Sequence, residues 1–376
     1  MIYLDNASTT HIKPRTVVKQ TKLGLTKYSV NAGRGGYKLS IVGGEKVLEA
    51  RLNLANLFNC PSPENVIFTS GCTMAINLAL RGTIKFGGHI VATTLEHNSV
   101  LRTLDDLQKK YGISYTLVSP NKNGIITSTE IEKAIKTNTY LVCTIHTSNV
   151  TGATNDIESI GKLCKSRNLI YMVDIAQSAG HVNIDIQKLN INLATIAGHK
   201  GFYGPQGIGV LLINNIEVKP LITGGTGTSS ENISQPTDLP EGLESGTASL
   251  ANIMGLDAGV KFVRKNFTKI QTKIDNLINY LLPRLKNIKN IKVYSTINHA
   301  GVVAFNINNI PSSTIADILS NEFKICVRSG LQCAPMVHKY NGTLRQGMVR
   351  VSIGYFNSLR QIKKLIKALE IIANKT

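Results

Sequence analysis

The sequence predicts an α/β fold in which helices cover both faces of a mostly parallel sheet. Two observations support this prediction. Apolar, strand-like runs alternate with helix-like segments through the middle of the chain, and unusual polar residues follow several of these runs. In such sheets ligands bind beyond the carboxyl ends of the strands. The chain has 376 residues, 42% of them hydrophobic and 17% charged, which excludes wholesale disorder and allows two or three folding units.

The alternation predicts the elements of a large domain in order. Predicted strands lie at Val66–Thr69, His89–Thr93, 140–144, 169–173, 193–196 and 208–213, with helices at 71–80, 100–111 and 157–167. Residues 220–249 are rich in Gly, Ser, Thr and Pro and predict a long functional loop.

The last third predicts a second, smaller α+β unit. Its predicted helices lie at 251–265, 270–285, 313–321 and 358–373, with strands at 302–306 and 349–353 and a loop around 326–347. We therefore expect a large domain at 15–261 and a small domain formed by 1–14 and 262–376.

Charge and cysteine content exclude several functional classes. The net charge is +19, and residues 261–376 hold 19 basic but only 4 acidic residues. The lysines are scattered at helical spacing without interleaved aromatics, which favours solvated helix faces over a nucleic-acid site, with docking of an acidic partner as the alternative. The six cysteines lack CxxC and zinc spacings, so we expect reduced thiols and no metal site.

The sequence shows neither a membrane-spanning pattern nor a secretory signal. No apolar run approaches the roughly 18–20 residues of a spanning helix. The start, MIYLDNASTT, has neither the basic nor the apolar region of a signal peptide. We therefore expect a cytoplasmic protein.

Three local patterns carry candidate chemistry. Cys72 and Thr73 begin a helix, where free N–H groups suit a phosphate, although a plain helix cap is the alternative. Asp174 ends an apolar strand, where a carboxylate needs a cationic partner or caps a helix. Lys200 lies between glycines and two apolar strands, where desolvation favours a nucleophilic amine. An amine, an aspartate for a pyridinium nitrogen and a phosphate site are what pyridoxal phosphate requires.

With these residues in place, the chain resembles the class-V aminotransferase-fold pyridoxal-phosphate enzymes. Within them it is similar to the cysteine desulfurases and selenocysteine lyases of the branch with a short catalytic loop. The motifs are YLDNASTT, SGCTMAIN, LEHNSV, HTSNVTG, VDIAQSAG, AGHKGFYGPQGIG, LESGT, VRSGLQCAP and VRVSIGYFN. The resemblance implies fold type I, with a seven-stranded, mostly parallel sheet, and a homodimer with sites built from both chains.

The resemblance also implies a role for each matching residue. Lys200 would hold the cofactor and later remove the substrate's α-proton, Asp174 would pair with the ring nitrogen, and His97 would stack on the ring. The other implied contacts are Asn149 and Gln177 to the ring hydroxyl, Cys72, Thr73 and His199 to the phosphate, Thr247 to the phosphate of the other subunit, and Arg350, Arg328 and Arg34 to the substrate or its surroundings.

Cys333 decides the reaction that we expect. It lies in a polar, basic loop where nearby cations favour the reactive thiolate, although an unreactive loop cysteine is the alternative. The resemblance implies that this thiol accepts sulfur from L-cysteine as a persulfide, releases alanine, and passes sulfur to an acceptor protein, as in iron–sulfur cluster assembly. Gln332, Ala197 and Met74 depart from the residues common in relatives, which are His, Ser and Glu.

Other reactions on the same scaffold remain open from the sequence. Selenocysteine lyase, cysteine C–S lyase or aminotransferase activity would need Lys200 and Asp174 but not Cys333. A non-catalytic protein that binds an acidic partner or nucleic acid through its basic last third is the remaining alternative.

Overall fold

A seven-stranded sheet forms the centre of the protein, in a computed structural model that describes residues 1–375. The strands are β2 (Val66–Thr69), β3 (His89–Thr93), β4 (Ser114–Val118), β5 (Thr139–Ile145), β6 (Ile170–Asp174), β7 (Leu193–Ala197) and β8 (Gly209–Ile213), in the order β2-β8-β7-β6-β5-β3-β4. The predicted fold class and strand count are confirmed, and β4 is a strand that the sequence patterns did not identify.

One strand of this sheet runs against the others. β8 is antiparallel to both β7 and β2, whereas the remaining pairs are parallel. The connection from β7 to β8 is short and rich in turns, and a parallel return would need a longer crossover, usually a helix. Consequently β2, β3, β5, β6 and β7 share one direction, and their carboxyl ends lie along one edge.

The strands are buried on both faces. In β8, Val210 and Leu212 enter one apolar cluster while Leu211 and Ile213 enter another. Because successive side chains of a strand point to opposite faces, the two clusters are the cores above and below the sheet. This double burial explains the continuous apolar runs in the sequence.

Ten α-helices surround the sheets in the part of the chain that the structure describes. They are α1 (Arg15–Thr26), α2 (Lys38–Phe58), α3 (Cys72–Gly82), α4 (Asn98–Tyr111), α5 (Ser128–Glu132), α6 (Ile157–Ser166), α7 (Leu250–Asn287), α8 (Ser312–Asn321), α9 (Pro335–Tyr340) and α10 (Leu359–Asn374). Among residues 1–375, none of the helices is both long and apolar enough to cross a membrane.

Two predictions about the last third were wrong in detail. The helices predicted at 251–265 and 270–285 are one helix, α7, because the intervening residues contain neither Gly nor Pro and its buried face continues through Ile270 and Ile274. The loop predicted around 326–347 contains the short helix α9 and a short strand, β11 (Ile325–Cys326). The segment 220–249 does lack strands and α-helices, as expected, and holds only a 3₁₀ turn at Glu241–Leu243.

Two smaller sheets lie beyond the central one. Strands β9 (Ile291–Val293), β10 (Val302–Ile307) and β12 (Val349–Ser352) form an antiparallel sheet in the order β12-β10-β9. β1 (Ile2–Tyr3) pairs in parallel with β11, so the N-terminal tip joins the last third of the chain. The domain boundary predicted at 261/262 falls inside α7, and the division into domains stays a prediction.

Candidate active site

A cavity of about 440 Å³ lies at the shared carboxyl edge of the parallel strands. Most of the candidate residues from the sequence line it, although they come from widely separated segments. They are Cys72, Thr73, His97, Asn149, Asp174, Gln177, His199, Lys200, Arg328, Cys333 and Arg350. The departures Gln332, Ala197 and Met74 also line this cavity. Their individual roles remain predictions.

Two candidates lie outside this cavity. Thr247 lines a neighbouring cavity that shares Ser70 and Met74 with the first. Arg34 lines a third cavity, where its guanidinium reaches the carbonyl of Gly225 at 3.5 Å. The single chain therefore does not bring these two residues to the site.

Lys200 supplies an amine in the lining of the cavity. The turn after β7 holds its backbone, because the Lys200 N–H donates to the Ala197 carbonyl at 3.2 Å. Burial lowers the pKa of the Lys200 ammonium, while Cys72 and Asp174 oppose this and Arg350 adds to it. A lowered pKa increases the fraction of the neutral, nucleophilic amine.

The N-terminal segment fixes the peptide bond in front of Lys200. The carbonyl of His199 accepts hydrogen bonds from the Thr10 hydroxyl at 3.0 Å and from Lys13 Nζ at 3.2 Å. Next to it, Gly201 packs so closely on the carbonyl of Ala179 that a side chain would collide with it. These contacts explain why a glycine follows the lysine.

Asp174 is the carboxylate of the site and is only 2% exposed. Its Oδ1 accepts from the Ala176 N–H at 2.9 Å and from the Cys72 thiol at 3.8 Å. Burial raises the pKa of Asp174, whereas the Ala176 N–H and Lys200 oppose that rise. A buried carboxylate in this position favours a cationic or N–H partner from a bound group.

His97 caps α4 and is linked to the start of α3. Its Nδ1 accepts from the Ser99 N–H at 3.0 Å and lies 2.7 Å from the Ser99 hydroxyl, which is 3.0 Å from the Thr73 hydroxyl. Burial, with Lys200, lowers the pKa of His97 to about 4. The imidazole is therefore neutral, with Nδ1 the acceptor and the proton on Nε2.

Arg350 is held by residues that the sequence patterns did not single out. One terminal nitrogen donates to Asp5 Oδ1 and to the Ser8 hydroxyl, both at 2.7 Å, and the other donates to the Asn149 carbonyl at 2.8 Å. Each terminal nitrogen thus already has a partner, while the buried Nε has none among the described residues. Burial lowers the pKa of the guanidinium and Asp5 opposes this.

The two candidate amides are partly engaged. Gln177 Nε2 donates to the Ala7 carbonyl at 2.9 Å, and Asn149 Nδ2 donates to the Gln332 carbonyl at 2.7 Å. In the described part of the chain the buried Asn149 Oδ1 has no partner. These amides can still contact a bound ring with their remaining atoms.

Cys333 is the exposed member of the six unpaired cysteines. It lines the cavity and also reaches solvent, so its thiol lies where the cavity opens. By contrast, burial raises the pKa of Cys164 to about 12 and that of Cys143 well above its usual value. Their burial makes Cys143 and Cys164 inert core residues.

The residues present fit pyridoxal phosphate. Three buried polar atoms in the cavity lining lack a hydrogen-bond partner among residues 1–375, namely Asn149 Oδ1, His199 Nδ1 and Arg350 Nε. Each of them is available for a hydrogen bond with a bound group. The start of α3 offers free backbone N–H groups for a phosphate, beside the Thr73 hydroxyl. The amine and the carboxylate complete the required donor set.

Sequence reasoning missed four residues around the site: Asp5, Ser8, Ser99 and Glu96. Asp5 and Ser8 lie within YLDNASTT, and Glu96 and Ser99 lie within LEHNSV, so the motifs contained them. Their signal was an acidic or hydroxyl residue inside a motif that already held a candidate, but Thr73, Ile145 and Arg350, which they also contact, are far away in the sequence.

Comparisons with known proteins agree with this geometry. The family described as aminotransferase class-V matches residues 2–365. A probable cysteine desulfurase of Pyrococcus abyssi is 34% identical, over 98% of this chain and 94% of that protein. The cysteine desulfurase IscS of Vibrio vulnificus is 30% identical, over 100% and 93%.

Solved structures give the same result. The apo cysteine desulfurase of Thermococcus onnurineus superimposes with a TM-score of 0.92 at 31% identity and covers 100% of this chain and 95% of that one. The cysteine desulfurase CsdA of Escherichia coli, at 24% identity and a TM-score of 0.89 over 99% and 94% of the two chains, shares the fold.

Proposed function

The chain belongs to the class-V aminotransferase family and, within it, to the cysteine desulfurases, and from this premise we propose how its own residues carry out the reaction. The enzyme converts L-cysteine to L-alanine and transfers the sulfur to an acceptor protein. Pyridoxal phosphate, when bound, supplies an aldehyde that holds the amino group and a ring that withdraws electrons from the α-carbon.

Lys200, Asp174 and His97 position and move protons around the bound cofactor. The Lys200 amine, with its lowered pKa, would hold the cofactor and serve as the base at the substrate α-carbon. Asp174, in the lining of the same cavity, would pair with the ring nitrogen and keep a proton on it. His97 presents its Nε2–H to the cavity, because Ser99 occupies Nδ1.

Arg350 binds the carboxylate of L-cysteine. Its charge is buried and already oriented by Asp5 and Ser8, so the guanidinium is fixed before substrate arrives. These contacts and the one to the Asn149 carbonyl use three of the five guanidinium N–H groups, which leaves the unpartnered Nε–H and one N–H of the nitrogen that contacts Asn149 for the substrate. Arg328 lines the same cavity and adds a second positive charge.

Cys333 takes the sulfur. Its thiolate attacks the sulfur of L-cysteine, a sulfur–sulfur bond forms, and the carbon–sulfur bond breaks with its electron pair left on the carbon fragment. Protonation of that fragment gives alanine, and the enzyme keeps the sulfur as a persulfide on Cys333. An acceptor thiol then removes this sulfur at the opening of the cavity.

The observation that carries this proposal is the presence of a half-buried amine and an exposed cysteine in the same cavity. Lyase and aminotransferase reactions use the amine but have no need of the thiol. A selenocysteine lyase acts on a substrate that differs from L-cysteine by one atom, selenium in place of sulfur. The same assay with that substrate measures this alternative activity.

The test compares Cys333→Ala with Cys326→Ala, a half-buried cysteine that does not line the cavity. Each holoenzyme is mixed with L-cysteine, and sulfide, alanine and the mass of the peptide around 333 are measured. We expect the wild type and Cys326→Ala to gain one sulfur atom on Cys333, and Cys333→Ala to lose sulfur transfer by at least about a hundredfold. Full activity of Cys333→Ala would reject the role of this thiol.

We further propose that the active unit is a homodimer. Thr247 and Arg34 lie outside the main cavity, where they can serve a neighbouring subunit. Exposed apolar residues lie at the start of α2 and along it, namely Tyr37, Leu39, Ile41, Leu48 and Leu52. Such a patch is typical of a protein–protein interface.

The unpaired cysteines support action in a reducing compartment such as the cytoplasm.

A further inference from the structure

The residue before the catalytic cysteine lines the cavity but has a buried side chain. Gln332 is only 6% exposed, and its side chain turns into the protein rather than towards solvent. Its Nε2 donates to the Met348 carbonyl at 2.7 Å, and its Oε1 lies 3.1 Å from His338 Nε2. Both polar groups of the amide are therefore engaged, one by the residue before β12 and one by α9.

The partners of Gln332 define a single arrangement of protons. Because Nε2 is the donor to Met348, Oε1 must accept, so His338 Nε2 carries a proton. His338 Nδ1 then accepts from the Thr343 hydroxyl at 2.9 Å. Burial lowers the pKa of His338 to about 4, which keeps the imidazole in this neutral form.

The backbone of the same loop is tied to the opposite side of the cavity. The Gln332 carbonyl accepts from Asn149 Nδ2 and the Cys333 carbonyl accepts from the Asn98 N–H, both at 2.7 Å. At the base of the loop, Arg328 and Arg350 exchange backbone hydrogen bonds at 3.0 and 2.7 Å. The thiol is thus connected through a short segment to the residue that binds the substrate carboxylate.

The loop backbone is strained at its tip. Gln332 has a φ of 43° and Cys333 a φ of 58°, in the left-handed region that non-glycine residues rarely occupy. Two successive residues of this kind persist only where the surrounding contacts hold them. The side-chain hydrogen bonds of Gln332, together with the one from Asn149 to its carbonyl, hold the first of the two.

We infer that Gln332 is a positioning residue that fastens the Cys333 loop to His338 and Met348 and so holds the thiol at the opening of the cavity. This inference rests on the proposed function of Cys333. In this role Gln332 does not act as an acid or a base, because an amide side chain does not exchange protons near neutral pH. A fixed loop also means that the acceptor must bring its own thiol to the cavity opening.

The test replaces Gln332 with Met, which has a similar volume but neither hydrogen bond. Gln346→Met is the matched control, since Gln346 Nε2 also donates to carbonyls, those of Asn308 and Ile310, both at 2.8 Å, and its side chain makes no hydrogen bond to residues 329–334. Gln332→His is the rescue variant, because an imidazole also offers one donor and one acceptor. All are compared as holoenzymes.

Two readouts separate positioning from a general loss of structure. In Gln332→Met we expect amide hydrogen exchange at 329–334 to accelerate roughly tenfold or more, as loss of two buried hydrogen bonds predicts. We expect kcat for L-cysteine to fall by a similar factor while KM stays within about twofold, because Arg350 still binds the substrate. Gln346→Met should match the wild type, and Gln332→His should recover both readouts.

Two results would overturn the inference. The first is unchanged exchange and unchanged kcat in Gln332→Met, and the second is a rise in KM with kcat intact. If Gln332→Met loses the visible absorption of the bound cofactor, Gln332→His is compared with the wild type instead. A low kcat together with fast amide exchange at 329–334 in Gln332→His would then also overturn the inference. Failure of the wild type to form a persulfide on Cys333 would reject the proposed function, while the exchange comparison would still test the loop.

Discussion

The carboxyl group of Glu96 offers a sharp test of the electrostatics beneath the site. Glu96 is fully buried, its Oε1 accepts from the Thr93 hydroxyl at 2.6 Å and from the Ile145 N–H at 2.7 Å, and in the described structure its Oε2 has no partner. Burial raises its pKa from 4.5 to about 8, against the opposing effect of those two hydrogen bonds. The side chain is therefore neutral in the folded protein at pH 7.

This shift determines the sign of the pH dependence. The folded state binds the Glu96 proton more tightly than the unfolded state, so its contribution to stability is fully present below about pH 4.5 and is lost as the pH rises towards about 8. Each unit of pKa difference corresponds to about 1.4 kcal/mol, which gives a loss of ~3 kcal/mol by pH 7. The Glu96→Gln variant keeps an Oε1 acceptor and has no proton to lose.

We expect the free energy of unfolding of Glu96→Gln to exceed that of the wild type by ~3 kcal/mol at pH 7 and by little at pH 4.5. Urea denaturation of both proteins at several pH values measures this difference. Glu130→Gln is the matched control, since burial tends to raise the pKa of Glu130 but several hydrogen bonds, chiefly from Thr127, together outweigh it, so the pKa of this carboxyl is lowered. A difference between Glu96→Gln and wild type that does not change with pH would refute the reasoning.

Two further predictions concern the substrate and the assembly. Replacing Arg350 with Lys removes the fork that contacts Asp5, Ser8 and Asn149 at once, so we expect KM for L-cysteine to rise roughly tenfold or more, measured by initial rates, and an unchanged KM would contradict the assignment. If sites are shared between subunits, mixing inactive Lys200→Ala with impaired Arg34→Ala should regenerate one intact site per hybrid dimer. Activity no greater than the sum of the separate variants would argue against a shared site.

The sheet and the central pair of the site followed from local sequence patterns. Apolar runs with polar residues at their ends predicted the strands, and carboxyl ends of parallel strands share one edge. Asp174 and Lys200 could therefore be placed together before their contacts were known. The direction of β8 and the continuity of α7 were less accessible, because both depend on how segments pack rather than on the period of either segment.

The sequence by itself determined where the candidate residue types for the chemistry stand: an amine, a carboxylate, an arginine and a thiol, each in a recognisable local setting. The tertiary structure decided which partners orient them. Asp5 reaches Arg350 across 345 positions, and Asn149 reaches the Gln332 carbonyl across 183. Local periodicity describes neighbours within a few residues of one another, whereas these hydrogen bonds form only when packing of distant strands and loops buries both partners together.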